Sequence, residues 1–252
     1  MNIDPRMNTS LTPETLARIV NGNPHRIDAE GNVYALVRGS FISFHEKRGM
    51  PNDPPEKLRY QGTFLFPNNN IGVIVNEVKR KAKEFYPNAD PERFMDKFSK
   101  NSAIKDQALM VSTKDGGRNH DNGYAGFVPG LPYIVAKSAR DLRFHRRLNG
   151  QTVDVIPDQV AKEFYSGCWM MVKLNIYKSS SNGNPGPIFG LQGALKICDD
   201  TPLGGGSKAA TAKDWGDVEA IEDPNAEAAH QPSNDEWNDK AKAPAEDVAA
   251  GW

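Results

Sequence analysis

Residues 168–177 read CWMMVKLNIY. One parity of this run holds Cys168, Met170, Val172, Leu174 and Ile176, and the other holds Trp169, Met171, Lys173, Asn175 and Tyr177. Successive side chains of a strand point to opposite sides of a sheet, so this is a strand with one wholly apolar face and one mixed face. The mixed face alternates aromatics with a cation. Binding a single nucleic-acid strand without reading its sequence needs aromatic planes for bases and cations for phosphates. Trp169 and Tyr177 are therefore candidates for base stacking, and Lys173 for a phosphate contact. The competing reading is that the two aromatics pack under a helix or loop, because sheets often have both faces covered.

The loop SSSNGNPG leads from this run to a further strand, PIFGLQGALKIC, at 187–198. Upstream, VYALVRGSFISF (33–44), LRYQGTFLF (58–66), PYIVAK (132–137) and TVDVI (152–156) are β-branched and aromatic runs that also read as strands. In 58–66, Leu58, Tyr60, Phe64 and Phe66 share one face and Arg59, Gln61 and Thr63 the other, which adds Arg59 to the candidate nucleic-acid contacts. Ile71, Val75, Val78, Ala82 and Phe85 form one apolar stripe, so 71–86 reads as a helix, capped by Asn69 or Asn70 and stopped by Pro87. A shorter helix starts at Thr12, with Pro13 in its first turn, inside a polar arm expected to be loosely held. The basic run SARDLRFHRRLNG gathers Arg140, Arg143, Arg146 and Arg147 around Phe144 and reads as a second nucleic-acid-contacting cluster on a loop. Many strands, turn-rich connections and one good helix describe a mainly β chain with one or two helices. A five-stranded OB barrel is among the candidates.

The chain has 252 residues, 38% of them apolar. No run approaches 18 consecutive apolar residues, which excludes a membrane-spanning helix. The opening MNIDPRMNTSLTPETL lacks the apolar core of a secretory signal. Cys168 and Cys198 lack CxxC spacing and read as core thiols, which fits a reducing cytoplasm. The net charge of −1 hides a split: residues 214–252 carry 11 acidic and 2 basic residues, and the rest of the chain 29 basic and 21 acidic. A basic body with an acidic tail points to a polyanionic partner. With so few large apolar residues, the tail is expected to be disordered. The division is then an arm at 1–30, one domain at 31–213 and a tail at 214–252.

Catalytic signatures are missing. PLGGGSKAA lacks the spacing of a phosphate-gripping loop, and no GxSxG elbow occurs. His25, His45, His120, His145 and His230 are scattered, and Asp199-Asp200 reads as a solvated turn. No catalytic residue, metal-ligand set or cofactor is expected.

The segment from Phe164 to Gly205 resembles the bacteriophage single-stranded DNA-binding proteins of the OB-fold type. The residues that carry this are Phe164-Tyr165-Ser166-Gly167-Cys168, the long strand that follows, Asn182-Gly183, Gly190-Leu191 and Leu203-Gly204-Gly205. GSFISF, YQGTFLFP and the amphipathic helix are also similar, so the resemblance covers 33–213. One departure is RFHRRLNGQTVDVI, where an Arg-Pro before a short strand is expected. The resemblance implies an OB barrel that is not an enzyme and that coats single strands during phage replication, recombination and repair in the bacterial host cytoplasm. Rivals are a strand-annealing or recombination-mediator protein, an RNA chaperone, and a nucleic-acid-processing enzyme. The tail, with Asp235, Glu236, Glu246, Asp247 and Trp252, is similar to those of other replication single-strand binders, implying polymerase or helicase as partners. No membrane partner is implied, and a homo-oligomer is compatible with the resemblance.

Overall fold

Nine strands and three α-helices form among the described residues, which are 3–99, 102–110, 124–179 and 185–203 of a computed structural model. The strands are β1 (Arg26–Ile27), β2 (Val33–Arg48), β3 (Arg59–Leu65), β4 (Lys105–Asp106), β5 (Pro132–Ser138), β6 (Arg143–Leu148), β7 (Gln151–Asp154), β8 (Trp169–Lys178) and β9 (Pro187–Cys198). The helices are α1 (Pro13–Gly22), α2 (Gly72–Phe85) and α3 (Pro157–Glu163). The chain divides into Met1–Gly205 and Gly206–Trp252. The acidic tail, the Asn182-Gly183 turn and residues 111–123 lie outside the described residues.

β2 is long enough to serve two neighbours. Val33–Arg38 pair with β8, and the rest, from Arg38 to Arg48, pairs with β3. The β2–β3 register shifts between Ser40 and Ser43, a bulge that bends the strand. β3 continues to β5 and β8 to β9, all antiparallel. β9 then pairs in parallel with β5, with Ala136 opposite Phe189, which closes a ring of β2, β3, β5, β9 and β8. This is the five-stranded OB barrel that the sequence and its resemblance led one to expect. Farther along β9, β6 takes over the parallel pairing and turns back as a hairpin with β7. The interior is tight: a Cβ on Gly62 would come within 2.8 Å of both Ile42 Cδ1 and the Phe64 ring.

Several local expectations need correction. The described residues hold three α-helices rather than one or two, because PDQVAKE is only seven residues long and too short to show a 3.6 period. α2 starts from Ile71 without a side-chain cap. Asn68 Oδ1 instead takes the Asn70 N–H at 2.8 Å. The run 140–147 is not a loop, since Arg143–Leu148 form β6.

The N-terminal arm is not loosely held. Arg38 and Asp200 form an ion pair of 3.1 Å, with side chains 1% and 0% exposed. Arg38 donates to the carbonyls of Gly167 (2.9 Å), Asn8 (3.0 Å), Thr201 (2.8 Å) and Met7. Asp200 accepts from Thr9 Oγ1 (2.6 Å), Ser10 N (2.8 Å) and Trp169 Nε1 (2.9 Å). Asp200 is thus no solvated turn. Asp199 beside it accepts from Lys196 Nζ (2.7 Å) and Tyr165 Oη (2.9 Å). Burial alone would raise the Asp200 carboxyl, but the hydrogen bonds from Thr9 and Ser10 and the Arg38 charge hold it below its ordinary value. With the arm anchored there, Met7 and Leu16 bury themselves against Leu36, Val128 and Trp169. α1 is capped as its sequence indicates, with Thr12 Oγ1 accepting from Thr15 N at 3.2 Å.

Asp200→Asn would leave the buried Arg38 charge without its counter-ion, and breaking a buried pair costs about 3–5 kcal/mol. Urea unfolding should show a lower midpoint at an unchanged slope, and a protease should cut the arm faster. An unchanged midpoint would show that the pair is not what holds the arm. The folded-state pKa is depressed, so the pair's contribution is complete above the ordinary carboxylate value of about 3.9 and is lost only as pH falls below it. The difference between parent and variant should therefore persist at neutral pH and shrink below about pH 4.

Candidate nucleic-acid interface

The apolar parity of β8 lies in the core as its alternation requires, with Cys168, Met170, Val172, Leu174 and Ile176 all buried. Burial pushes the Cys168 thiol up to about 12 and the Cys198 thiol up to about 11, so both are inert packing groups.

The outward parity splits into two halves. At one end, Trp169 and Met171 lie under the N-terminal arm. At the other end, Lys173, Asn175 and Tyr177 remain open, and cross-strand register sets what stands beside each of them. Beside Lys173 are Tyr34 on β2 and Gly193 on β9, and Arg143 on β6 follows Gly193. Arg26 on β1 pairs with Tyr34 and lays its guanidinium 4.3 Å over that ring. Asn175 continues through Gly190 to Lys137 on β5 and Gln61 on β3. Tyr177 pairs with Ile188; carrying the β5–β9 register of Ala136 opposite Phe189 one residue back sets Ile188 beside Val135, and Val135 pairs with Thr63. Strand spacing separates neighbours within a row by about 4.8 Å, and alternate residues separate the rows by about 6.7 Å.

Gly190 keeps this surface low. A Cβ there would lie 2.3 Å from Asn175 Oδ1 and 3.0 Å from the Tyr177 ring, so both side chains lean across the bare backbone. Tyr177 is 40% exposed, as is Val135, and Ile188 36%. Burial raises the Tyr177 phenol against the pull of the Arg59 charge, so the ring stays neutral. A hydrogen bond with Tyr34 and the charge of Asp28 hold Lys173 above its ordinary value, so it is a cation at neutral pH. The open face thus presents neutral rings and aliphatic groups among Arg26, Arg59, Lys137, Arg143 and Lys173.

The sequence family described as Enterobacter phage Enc34, ssDNA-binding protein, matches residues 31–228. The chain belongs to this family. Among solved structures, it resembles the single-stranded DNA-binding protein from bacteriophage Enc34 in complex with ssDNA, at 19% identity and a TM-score of 0.54, over 72% of this chain and 94% of that one. A C-terminally truncated form of the same phage protein matches at 18% identity and a TM-score of 0.52, over 71% and 93% of the two chains. At such identities the likeness speaks for the fold. No curated protein matches.

Within this member of the Enc34 family, the structure sorts the candidate residues. Lys173, Tyr177, Arg59 and Arg143 meet on the open face. Trp169 does not: it is 1% exposed, and its ring nitrogen is committed to Asp200. The assignment of Trp169 to base stacking is therefore corrected, because the arm covers its half of the strand. Phe144 is also corrected, since it points inward and stacks on Phe44 with centroids 4.7 Å apart. Arg146 is held by Glu163 of α3 at 2.6 Å and is only partly available. Arg140 and Arg147 are exposed, on the β5–β6 connection and near the hairpin turn. The tail residues Asp235, Glu236, Glu246, Asp247 and Trp252 lie outside the described residues.

Sequence reasoning missed Arg26, Tyr34, Val135, Lys137 and Ile188. Val135 and Lys137 were within reach, since they take the parity opposite Ile134 and Ala136 in PYIVAK. Arg26 and Tyr34 carry no such signal, because only the β1–β2 pairing places them.

A variant with Trp215, Trp237 and Trp252 replaced by phenylalanine leaves Trp169 as the sole tryptophan. Its emission should be blue-shifted, resist acrylamide and stay unmoved on saturation with poly-dT. Strong quenching by poly-dT would place Trp169 at the bases after all.

Proposed function

We propose that this chain binds single-stranded DNA without sequence preference and coats strands exposed in phage replication, recombination and repair. The observation that carries the proposal is the open barrel face, where aromatic and aliphatic groups lie among five cations. Cations track the phosphates by releasing counterions, and Tyr177 offers its ring to a base, whose π-face every nucleotide has. Membership of the Enc34 family supports the same reading. That family's described role, binding single strands, is not an enzymatic one. Among the described residues, no group of three or more His, Cys, Asp or Glu is placed to hold a metal ion. The site of action is the host cytoplasm, where phage DNA is copied. The acidic residues from 214 on, ending in Trp252, serve as the docking segment for replication proteins such as polymerase or helicase. Their charge and composition support that role. A protein cut before Asp214 should keep its DNA binding and lose those partners in a pull-down.

Binding to oligo-dT and to the matching duplex, followed across a salt titration, tests the proposal. Tyr177→Ala should weaken single-strand binding by about 1–3 kcal/mol. Lys173→Ala and Arg143→Ala should each flatten the plot of log affinity against log salt by about 0.7. Arg146→Ala should change that slope less, because Glu163 already holds its charge. Equal affinity for single strand and duplex, or a slope indifferent to Lys173 and Arg143, would remove the proposal.

A further inference from the structure

Phe41 lies where β2 turns from β8 to β3, inside the register shift between Ser40 and Ser43. Its φ is +49°. A bulky L-residue avoids that left-handed region, and such strain persists where the surrounding structure enforces it, often at sites that bind. Ile42 beside it packs on the core, so the unusual backbone turns Phe41 outward. The ring is 47% exposed. It is nonetheless braced, meeting Tyr124 edge-on at 5.0 Å and Phe127 at 6.2 Å, and Phe127 is itself buried against Leu65 and Tyr133. A ring held rigidly on one side and open on the other has little use in a core, and it has the form of a stacking platform.

Its position gives that platform a direction. Ser40 pairs with Thr63 and Thr63 with Val135, so Phe41 stands at the β2 end of the row that Tyr177 ends on β8. Round the barrel by way of β9, β5 and β3, the path from one ring to the other spans four strand spacings, about 19 Å at the level of the backbone.

We propose that Phe41 is a second base-stacking residue and that a bound single strand crosses the barrel from Tyr177 to Phe41, passing Lys137. This rests on the single-strand reading above, and it adds a path that the β8 face alone does not define.

Two substitutions separate stacking from folding. Glycine is at ease at φ +49°, so Phe41→Gly removes the ring while relieving the backbone. Phe41→Leu keeps apolar bulk against Tyr124 without a π-face. Each is to be compared with the parent and with Tyr177→Ala for its urea midpoint and its affinity for oligo-dT longer than the ~4–16 nucleotides an OB fold covers. Both Phe41 variants should fold and bind oligo-dT about five- to a hundred-fold more weakly. In the parent, photocrosslinking to an oligonucleotide bearing 5-iododeoxyuridine should give an adduct on the peptide containing Phe41. If Tyr177→Ala weakens binding while Phe41→Leu keeps the parent affinity and no adduct forms on that peptide, the ring is packing alone and the path is wrong. A parent that does not bind oligo-dT overturns the single-strand reading itself, and this inference with it.

Discussion

One buried ion pair decides which part of the barrel can meet a ligand. Taking Arg38 and Asp200 out of water is costly, and their attraction offsets that cost only if the remaining donors and lone pairs are also satisfied. Here they are, by Met7, Asn8, Thr9, Ser10, Gly167, Trp169 and Thr201. These partners come from the N-terminal arm, the start of β8 and the chain leaving β9. The pair therefore ties residues 7–10 of the arm, which no strand ladder holds, to the start of β8 and the chain leaving β9, and it lays the arm across β2, β8 and β9. Cys168, fully buried behind it, closes the inner side of the same corner.

The covering has a functional consequence. A strand exposing Trp169, Lys173 and Tyr177 along its whole length would guide a ligand along β8. With Trp169 sealed, the open surface begins at Lys173 and widens sideways, through Lys137 and Val135 toward β3. The glycine at 190 lets that surface cross β9 without a step. Cations are spread over five strands, which suits a flexible phosphate chain better than a single file would. Neutral rings and aliphatic groups lie between them.

The basic hairpin shows the same economy of roles within one strand. β6 sends Phe144 into the stack with Phe44 and Phe164, ties Arg146 to α3 through Glu163, and leaves Arg143 at the open face. A run of four arginines in the sequence thus includes one tied to a helix and one that extends the cationic surface beside Lys173.

By itself the sequence determined the strands with strong alternation, the stripe of α2, the inward set of β8, the closed barrel through its resemblance, and the charge split between body and tail. These depend on residues close along the chain, where a period of 2 or 3.6 is visible. Only the tertiary structure decided which outward residues are free. Alternation shows that a strand has two faces, but not what lies over the second. For Trp169 the answer is set by Asp200, 31 residues later, and by an arm more than 150 residues earlier. The outward turn of Phe41 depends on a bulge where one strand must satisfy two partners at once. The open row itself depends on ring closure between β5 and β9, a pairing of strands with β6, β7, α3 and β8 between them in sequence. Such contacts have no local period, so no stretch of sequence displays them.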